Sequence, residues 1–224
     1  MNIIEAVETR KSIRDFKPVP VPKDILQKIL RLAVRAPSAS NAQPWEFIVI
    51  SGDVLESVKQ ANIEKLNSGT PPNPDYTDFE WPSASAYRRR QVEIAKQLFA
   101  LMDITRADKV KRTQWMELGF RYFNAPAVII ITMDRNLPEA RPSLDIGAVM
   151  QTLCLVALEF GLGTCIENQG VLYPDVLRRF AEIPDTRRII TSIAIGYPNW
   201  DFPANRVVSE REPVENITTW CGFR

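Results

Sequence analysis

A chain of 224 residues, 45% hydrophobic and 25% charged, is long enough to close a real core and has the balance of a globular protein. A formal net charge of +1 gives no support to bulk nucleic-acid binding, and three cysteines, Cys154, Cys165 and Cys221, are an odd number at unhelpful spacings, so reduced thiols in a cytoplasm are expected. Histidine is absent, which removes Ser-His-Asp and Cys-His catalysis and the usual zinc sites and leaves proton chemistry to carboxylates, Lys, Tyr, water or a cofactor.

Asn2 followed by Glu5 resembles a helix start, with Ile3, Ile4 and Val7 as a short apolar stripe. Glu5 and Glu8 fall where a signal peptide needs an apolar run, so secretion is not expected. The helix should stop near residues 9–12, delivering the run RKSIR (Arg10, Lys11, Ser12, Arg14) at its exit. Pro18, Pro20 and Pro22 keep the next stretch extended, and Ile25, Leu26, Ile29, Leu30 and Ala33 predict a helix over 23–36. That helix runs into APSASNAQPW, residues 36–45. Small residues between Pro37 and Pro44 let a flat group approach the backbone, and Asn41 and Gln43 offer amides.

Residues 46–51 (EFIVIS) read as a buried strand, and Asp53 as the cap of a helix to about Leu66. Pro71, Pro72, Pro74 and Pro82 break up the following stretch, and helices are expected over 85–102 and 105–123. Residues 69–119 interrupt an otherwise regular succession of elements and read as an inserted, lid-like excursion in a single domain of 1–224. PAVIIITM at 126–133 is the longest apolar run and has strand length, so no membrane span is expected. A nearly all-apolar helix over 145–162, expected to be buried on most sides, closes at Gly161-Leu-Gly163. A strand over 164–167, a helix over 173–181 and a strand over 188–195 complete the pattern. The tail, 199–224, carries Trp200, Phe202, Trp220 and Phe223 without periodicity and is expected to pack on something, another subunit being one candidate.

Arg10, Lys11, Ser12 and Arg14 put three cations and a hydroxyl within five residues, the forks and hydroxyl that a phosphate takes up. A solvated basic helix end is the alternative. GLGTC at 161–165 is no dinucleotide fingerprint, because it leaves a helix and enters a strand.

RKSIR, the helix into APSASNAQPW, then SLDIGAVMQTLCLVALEFGLGTC, AIGYP and a basic residue beyond: together these resemble the nitroreductase family of FMN-dependent oxidoreductases, over nearly the whole chain except the excursion. The resemblance implies an α+β fold, a central mostly antiparallel sheet flanked by helices, in an intertwined homodimer with FMN at the interface. It implies Arg10 and Ser12 at the phosphate and ribityl chain, Arg14 at the pyrimidine edge, Lys11 nearby, and Arg206 as a distant phosphate ligand. Pro37, Ser38, Ala39 and Asn41 would be laid against the flavin by the other subunit. Backbone near Glu167 and Asn168 would meet flavin N5, and Gln151 is a further candidate, with a buried helix amide as its alternative.

The implied activity is reduction of nitroaromatics, quinones or similar small aromatic oxidants with NAD(P)H, by a ping-pong mechanism. Reductive dehalogenation, reduction of an activated alkene, or a flavin-binding or flavin-fragmenting role are the alternatives. The hydride chemistry then belongs to the flavin, which suits a chain without histidine. Within the excursion Trp81, Tyr87, Trp115 and Phe120 are the candidate aromatic substrate contacts, Tyr87 foremost because Arg88–Arg90 adjoin it.

Overall fold

The computed structural model describes residues 1–76 and 80–223; residues 77–79 of the predicted excursion and residue 224 of the tail lie outside the described residues. Four strands, β1 (Glu46–Ser51), β2 (Ala127–Asp134), β3 (Gly163–Glu167) and β4 (Arg187–Gly196), form one antiparallel sheet in the order β1-β2-β4-β3. β2 is central because it is apolar on both faces. Val128 and Ile130 point into one core with α3 (Gly52–Asn67), α5 (Lys109–Phe120) and α7 (Pro174–Ala181). Ala127, Ile129, Ile131 and Met133 point into the other, with α2 (Lys23–Ala33) and α6 (Ala140–Glu159). The architecture is the expected α+β layering, helices on both faces of an antiparallel sheet.

Local chemistry explains the element ends. Asn2 caps α1 (Ile3–Thr9), its Oδ1 accepting from the Glu5 N–H at 2.9 Å. Asp53 is no cap: Ser51 holds that position, Gly52 turns the corner at φ +57, and Asp53 lies in the first turn, where its charge suits the helix dipole. α6 begins at Ala140, earlier than the sequence suggests, because Pro142 falls in the first turn, where no helical N–H is needed. With 20 residues α6 is long and apolar enough to cross a membrane by length and composition alone, a test that the core helix of a folded domain also passes. Its Ile146, Val149, Leu153 and Ala157 instead pack on the sheet, while Leu144 is 68% exposed, so one face is left uncovered where burial on most sides was expected.

The excursion is tied down at both ends. Near its start the Asp75 carboxylate takes Arg178 at 2.6 Å, Arg135 at 3.1 Å and the Ile189 N–H at 3.0 Å. Its first helix, α4 (Ala86–Leu101), packs Leu98 on Ala204 and Val207 of the tail. At the far end α5 interlocks with the turn after β3. A Cβ on Gly119 would stand 1.9 Å from Gln169 Oε1, and one on Gly170 would stand 2.0 Å from the Tyr122 ring. Tyr122, Phe123 and Asn124 all adopt positive φ (53, 54 and 60) to bring the chain back into β2. The tail forms a 3-10 turn at Pro203–Arg206 and a short helix, α8 (Val214–Ile217), and Trp220 and Phe223 meet each other edge-on at 5.3 Å while remaining 66% and 76% exposed.

Candidate functional site

β3 is an edge strand, and the RKSIR segment occupies part of that edge. Ser12 bridges Thr164 in parallel, and the Ile13 N–H donates to the Thr164 carbonyl at 2.9 Å. In an antiparallel ladder successive residues turn their main-chain groups to opposite sides. Since the Thr164 carbonyl points away from β4, Ile166 and the Asn168 N–H point to that same open side. No hydrogen bond takes up the Asn168 N–H among the described residues.

A buried asparagine holds the cations in place. Asn205, 1% exposed, accepts from Lys11 Nζ through its carbonyl at 3.0 Å and from the Arg14 N–H through Oδ1 at 2.6 Å. Its Nδ2 donates to the carbonyls of Asp15 at 2.9 Å and Asn199 at 2.8 Å. The next residue is Arg206, so the tail and the N-terminal segment meet here. Among the described residues Arg10, Lys11, Arg14 and Arg206 take part in no ion pair with a carboxylate. Asp15, next to Arg14 in sequence, is occupied by the neutral amides of Asn124 and Asn199. Burial, with the charge of Arg14, lowers the Lys11 pKa. Arg10, Lys11 and Arg14 are half-buried, whereas Arg206 is exposed and donates to the Asp201 carbonyl at 3.5 Å; half-buried cations without a counter-ion repel one another and favour an anion. Sequence reasoning missed Asn205, whose only signal was its place beside Arg206.

The 36–45 loop is rigid for a different reason. Both Asp145 oxygens accept from the Ala39 N–H at 3.2 Å, and Ser38 Oγ accepts from the Gln43 N–H at 3.0 Å. Ser40, Asn41 and Gln43 sit at positive φ, and the buried Trp45 anchors the exit. Pro37 and Asn41 are exposed, Ser38 and Ala39 half-buried, and no hydrogen bond joins this loop to residues 10–14 or Arg206 among the described residues. Asp145, expected only to start a helix, is the side chain that holds this loop.

Glu167 and Asn168 part company at the end of β3. Asn168 is exposed, whereas the Glu167 side chain turns inward, 8% exposed, to Ser192 Oγ and the Gly170 N–H. Burial pushes its carboxyl up to about 7. Gln151 is on the exposed side of α6, not buried.

The four aromatic candidates do not form one site. Trp81 and Tyr87 meet at 5.0 Å beside a groove of about 420 Å³ shared with Arg90, Ile94 and Glu210. Arg90 lies over the Tyr87 ring at 5.9 Å but is paired with Glu212 at 2.6 Å, so it is no free cation for an acidic ligand. Trp115 is edge-on to Phe99 at 6.3 Å, away from that groove. Phe120 is 3% exposed and stacks on Tyr173 at 5.7 Å, because the inner face of α5 closes the core there.

Residues 7–197 match the model described as Nitroreductase family. The chain belongs to that family. A chloronitrobenzene nitroreductase of Comamonas testosteroni is 31% identical over 97% of this chain and 96% of its own length. A nitrobenzene nitroreductase of Ectopseudomonas oleovorans is also 31% identical, over 97% of this chain and 96% of its own. Among solved structures, the FMN and NADPH-dependent nitroreductase NfnB from sphigopyxis sp. strain HMH superposes with a TM-score of 0.94 at 27% identity, covering 100% of both chains. The α+β sheet and helices described above are thus the nitroreductase fold.

Proposed function

We propose that this protein is an FMN-dependent oxidoreductase that takes hydride from NAD(P)H and reduces small nitroaromatic compounds. The observation that carries the reading is Asn205 tying the Lys11 ammonium and the Arg14 main chain together, with Arg10 and Arg206 adjoining in sequence and none of the four cations ion-paired to a carboxylate among the described residues, alongside the open edge of β3. The donor set suits a flavin mononucleotide: guanidinium forks and the Ser12 hydroxyl for one phosphate, and a free main-chain N–H farther along the same edge. Bound there, FMN would supply the hydride-accepting and hydride-donating chemistry.

The residues of the chain divide the remaining work. Arg10, Ser12 and Arg206 would hold the phosphate and ribityl chain, with Lys11 adding charge. Arg14 would place a positive charge at the pyrimidine edge, where negative charge develops on reduction. The Asn168 N–H is the donor for N5, one residue past the inward-facing Glu167. Pro37, Ser38, Ala39 and Asn41 stay uncovered in the single chain and would close over the flavin of a second subunit, with Gln151 on an outer helix face nearby in the assembly.

A homodimer also accounts for the apolar surface of one chain. Ile3, Ile4 and Val7 of α1 are 67%, 68% and 55% exposed, and Leu144, Trp200, Trp220 and Phe223 are more than half exposed. The free thiols of Cys154, Cys165 and Cys221 suit the reducing cytoplasm, where NAD(P)H is also found. The relatives named for chloronitrobenzene and nitrobenzene favour nitroarenes over halogenated or alkene substrates.

The test is direct. Purified protein is expected to hold about one FMN per chain and to oxidise NAD(P)H when nitrobenzene is supplied, because the cluster is built for a single phosphate. Protein that stays colourless after FMN loading, or a flavin reoxidised by oxygen but not by nitrobenzene, would refute it.

A further inference from the structure

Glu167 is the acid that the reading above leaves without a role. It lies at the end of β3 with its carboxyl inside the protein, walled by Ser192 and Thr191 of β4, the turn 169–171, Tyr122 and Cys165. Ser192 Oγ is within hydrogen-bond reach of Glu167 Oε1 and, at 2.9 Å, of the Glu167 carbonyl. The Gly170 N–H donates to Oε2 at 3.0 Å, and Thr191 Oγ1 lies 3.2 Å from the same Glu167 carbonyl and 2.7 Å from Asn168 Oδ1. The turn itself cannot drift. Tyr122 Oη donates to the Gly170 carbonyl at 2.7 Å, and the Tyr122 ring occupies the space a Cβ on Gly170 would need.

The Glu167 carbonyl and the Asn168 N–H are the two ends of one peptide group. A trans peptide aims them in opposite directions, the carbonyl toward β4 and the N–H toward the open edge. A hydroxyl donating to the carbonyl polarises the whole peptide and strengthens its N–H as a donor. Ser192 has a single hydrogen for two acceptors. When the Glu167 carboxyl is ionised, that hydrogen goes to Oε1. When the carboxyl is protonated, its own O–H donates to Ser192 Oγ, and the Ser192 hydrogen returns to the Glu167 carbonyl.

We propose that Glu167 is a positioning residue whose carboxyl, acting through the Ser192 hydroxyl, sets how strongly the Asn168 N–H donates to the flavin. The proposal rests on the reading that FMN lies along this edge of β3. The groups facing the carboxyl fit such a role. Tyr122 and Cys165 are the titratable neighbours, Tyr122 held neutral by burial and the Cys165 thiol pushed up to about 12. Ser192, Thr191 and the Gly170 and Gln169 N–H groups are neutral donors, and no Lys or Arg sets the protonation of Glu167. Its carboxyl is therefore the one group of this cluster that changes charge near neutrality, and it does so behind the flavin-facing peptide.

The test uses the FMN-loaded protein. The visible flavin spectrum and midpoint potential are followed across neutral pH for the wild type, Glu167→Gln and Ser192→Ala, with free FMN alongside. The wild type is expected to pass between two limiting spectra with a midpoint near 7. Glu167→Gln, whose amide donates to Ser192 as the protonated acid does, is expected to show the acid-side spectrum at every pH. Ser192→Ala, which loses the relay but keeps the acid, is expected to lose most of the step, and it serves where the Gln variant folds poorly. A wild-type spectrum constant with pH, or a step undiminished in either variant, overturns the proposal while leaving flavin binding intact. A protein that takes up no FMN overturns the underlying reading, and this proposal with it.

Discussion

Arg10 and Glu167 are opposite cases of a charge in a protein: one half-exposed and waiting for a partner, the other buried and better off neutral. Arg10→Ala is expected to weaken FMN binding by roughly 1.5–3 kcal/mol, the worth of a charge-assisted hydrogen bond. Flavin fluorescence titration measures it, and an unchanged dissociation constant would place the phosphate elsewhere. Glu167 predicts a pH effect on stability. Its carboxyl is raised from 4.5 to about 7 by burial, so between those values the folded chain holds a proton that the unfolded chain has released. Stability should therefore be full below about 4.5, fall as pH rises toward 7, and level off above, by roughly 3 kcal/mol in all. Urea midpoints of Glu167→Gln, compared with the wild type at both ends of that interval, should lack this fall; parallel curves would show that the acid is ionised throughout. RKSIR was legible because five consecutive residues carry its chemistry. Asn205 and Asp145 were not, since each works through long-range contacts that no local spacing announces.

The elements were the most legible part of the chain. β2 and β4 are buried apolar runs of strand length, and the amphipathic stripe of α2 gave its face away, but β1, expected to be buried, lies at the sheet edge with Ile50 its one buried residue. The ends that shifted, at α3, α5 and α6, are places where a glycine corner, an Asp108 cap or a first-turn proline acts against the apolar pattern. The aromatic residues of the excursion were visible in number but not in grouping, because pairing of rings depends on how α4 and α5 lie on their neighbours. Trp81 and Tyr87 are the pair exposed at a groove, so Tyr87→Ala is expected to raise KM for a nitroarene by about 2- to 10-fold, the worth of one aromatic contact. FMN content should not change. Stopped-flow measurement of the two half-reactions is the check: a larger loss on oxidation by the nitroarene than on reduction by NAD(P)H is expected, and equal losses would make Tyr87 structural.

At the scale of the whole molecule, the sheet and its two cores close within one chain, but the surface does not. α1, the outer face of α6 and the tail leave large apolar side chains in water, which a second copy would cover. Sedimentation at micromolar concentration should give a dimer, and a monomer that still binds FMN would contradict that assembly. Ending the chain at Thr218 removes Trp220 and Phe223 and should raise the dimer dissociation constant by at least tenfold, since burying even one such aromatic is worth roughly 1.5–3 kcal/mol. An unaltered constant would mean that the tail packs elsewhere. The overall architecture was readable from the order of motifs. The proposed dimer was suggested by the family resemblance and by a surplus of aromatics in the tail.

The interlock of α5 with the 169–170 turn also has a consequence for how this protein could diversify. A Cβ on Gly119 would meet the amide end of Gln169, and one on Gly170 would meet the Tyr122 ring just beyond the excursion, so the last turn of α5 and the turn after β3 are closely fitted. Residues upstream of Met116 have no such constraint, and their helices rest on the tail through ordinary side-chain packing. A foreign excursion spliced in ahead of Met116 should leave the turn after β3 undisturbed, provided that it keeps Asp75, which holds Arg178, Arg135 and the Ile189 N–H. One that replaces Gly119 would have to leave the Gln169 side chain the same space. The seam for recombining substrate preference lies inside the excursion, a few residues short of its end.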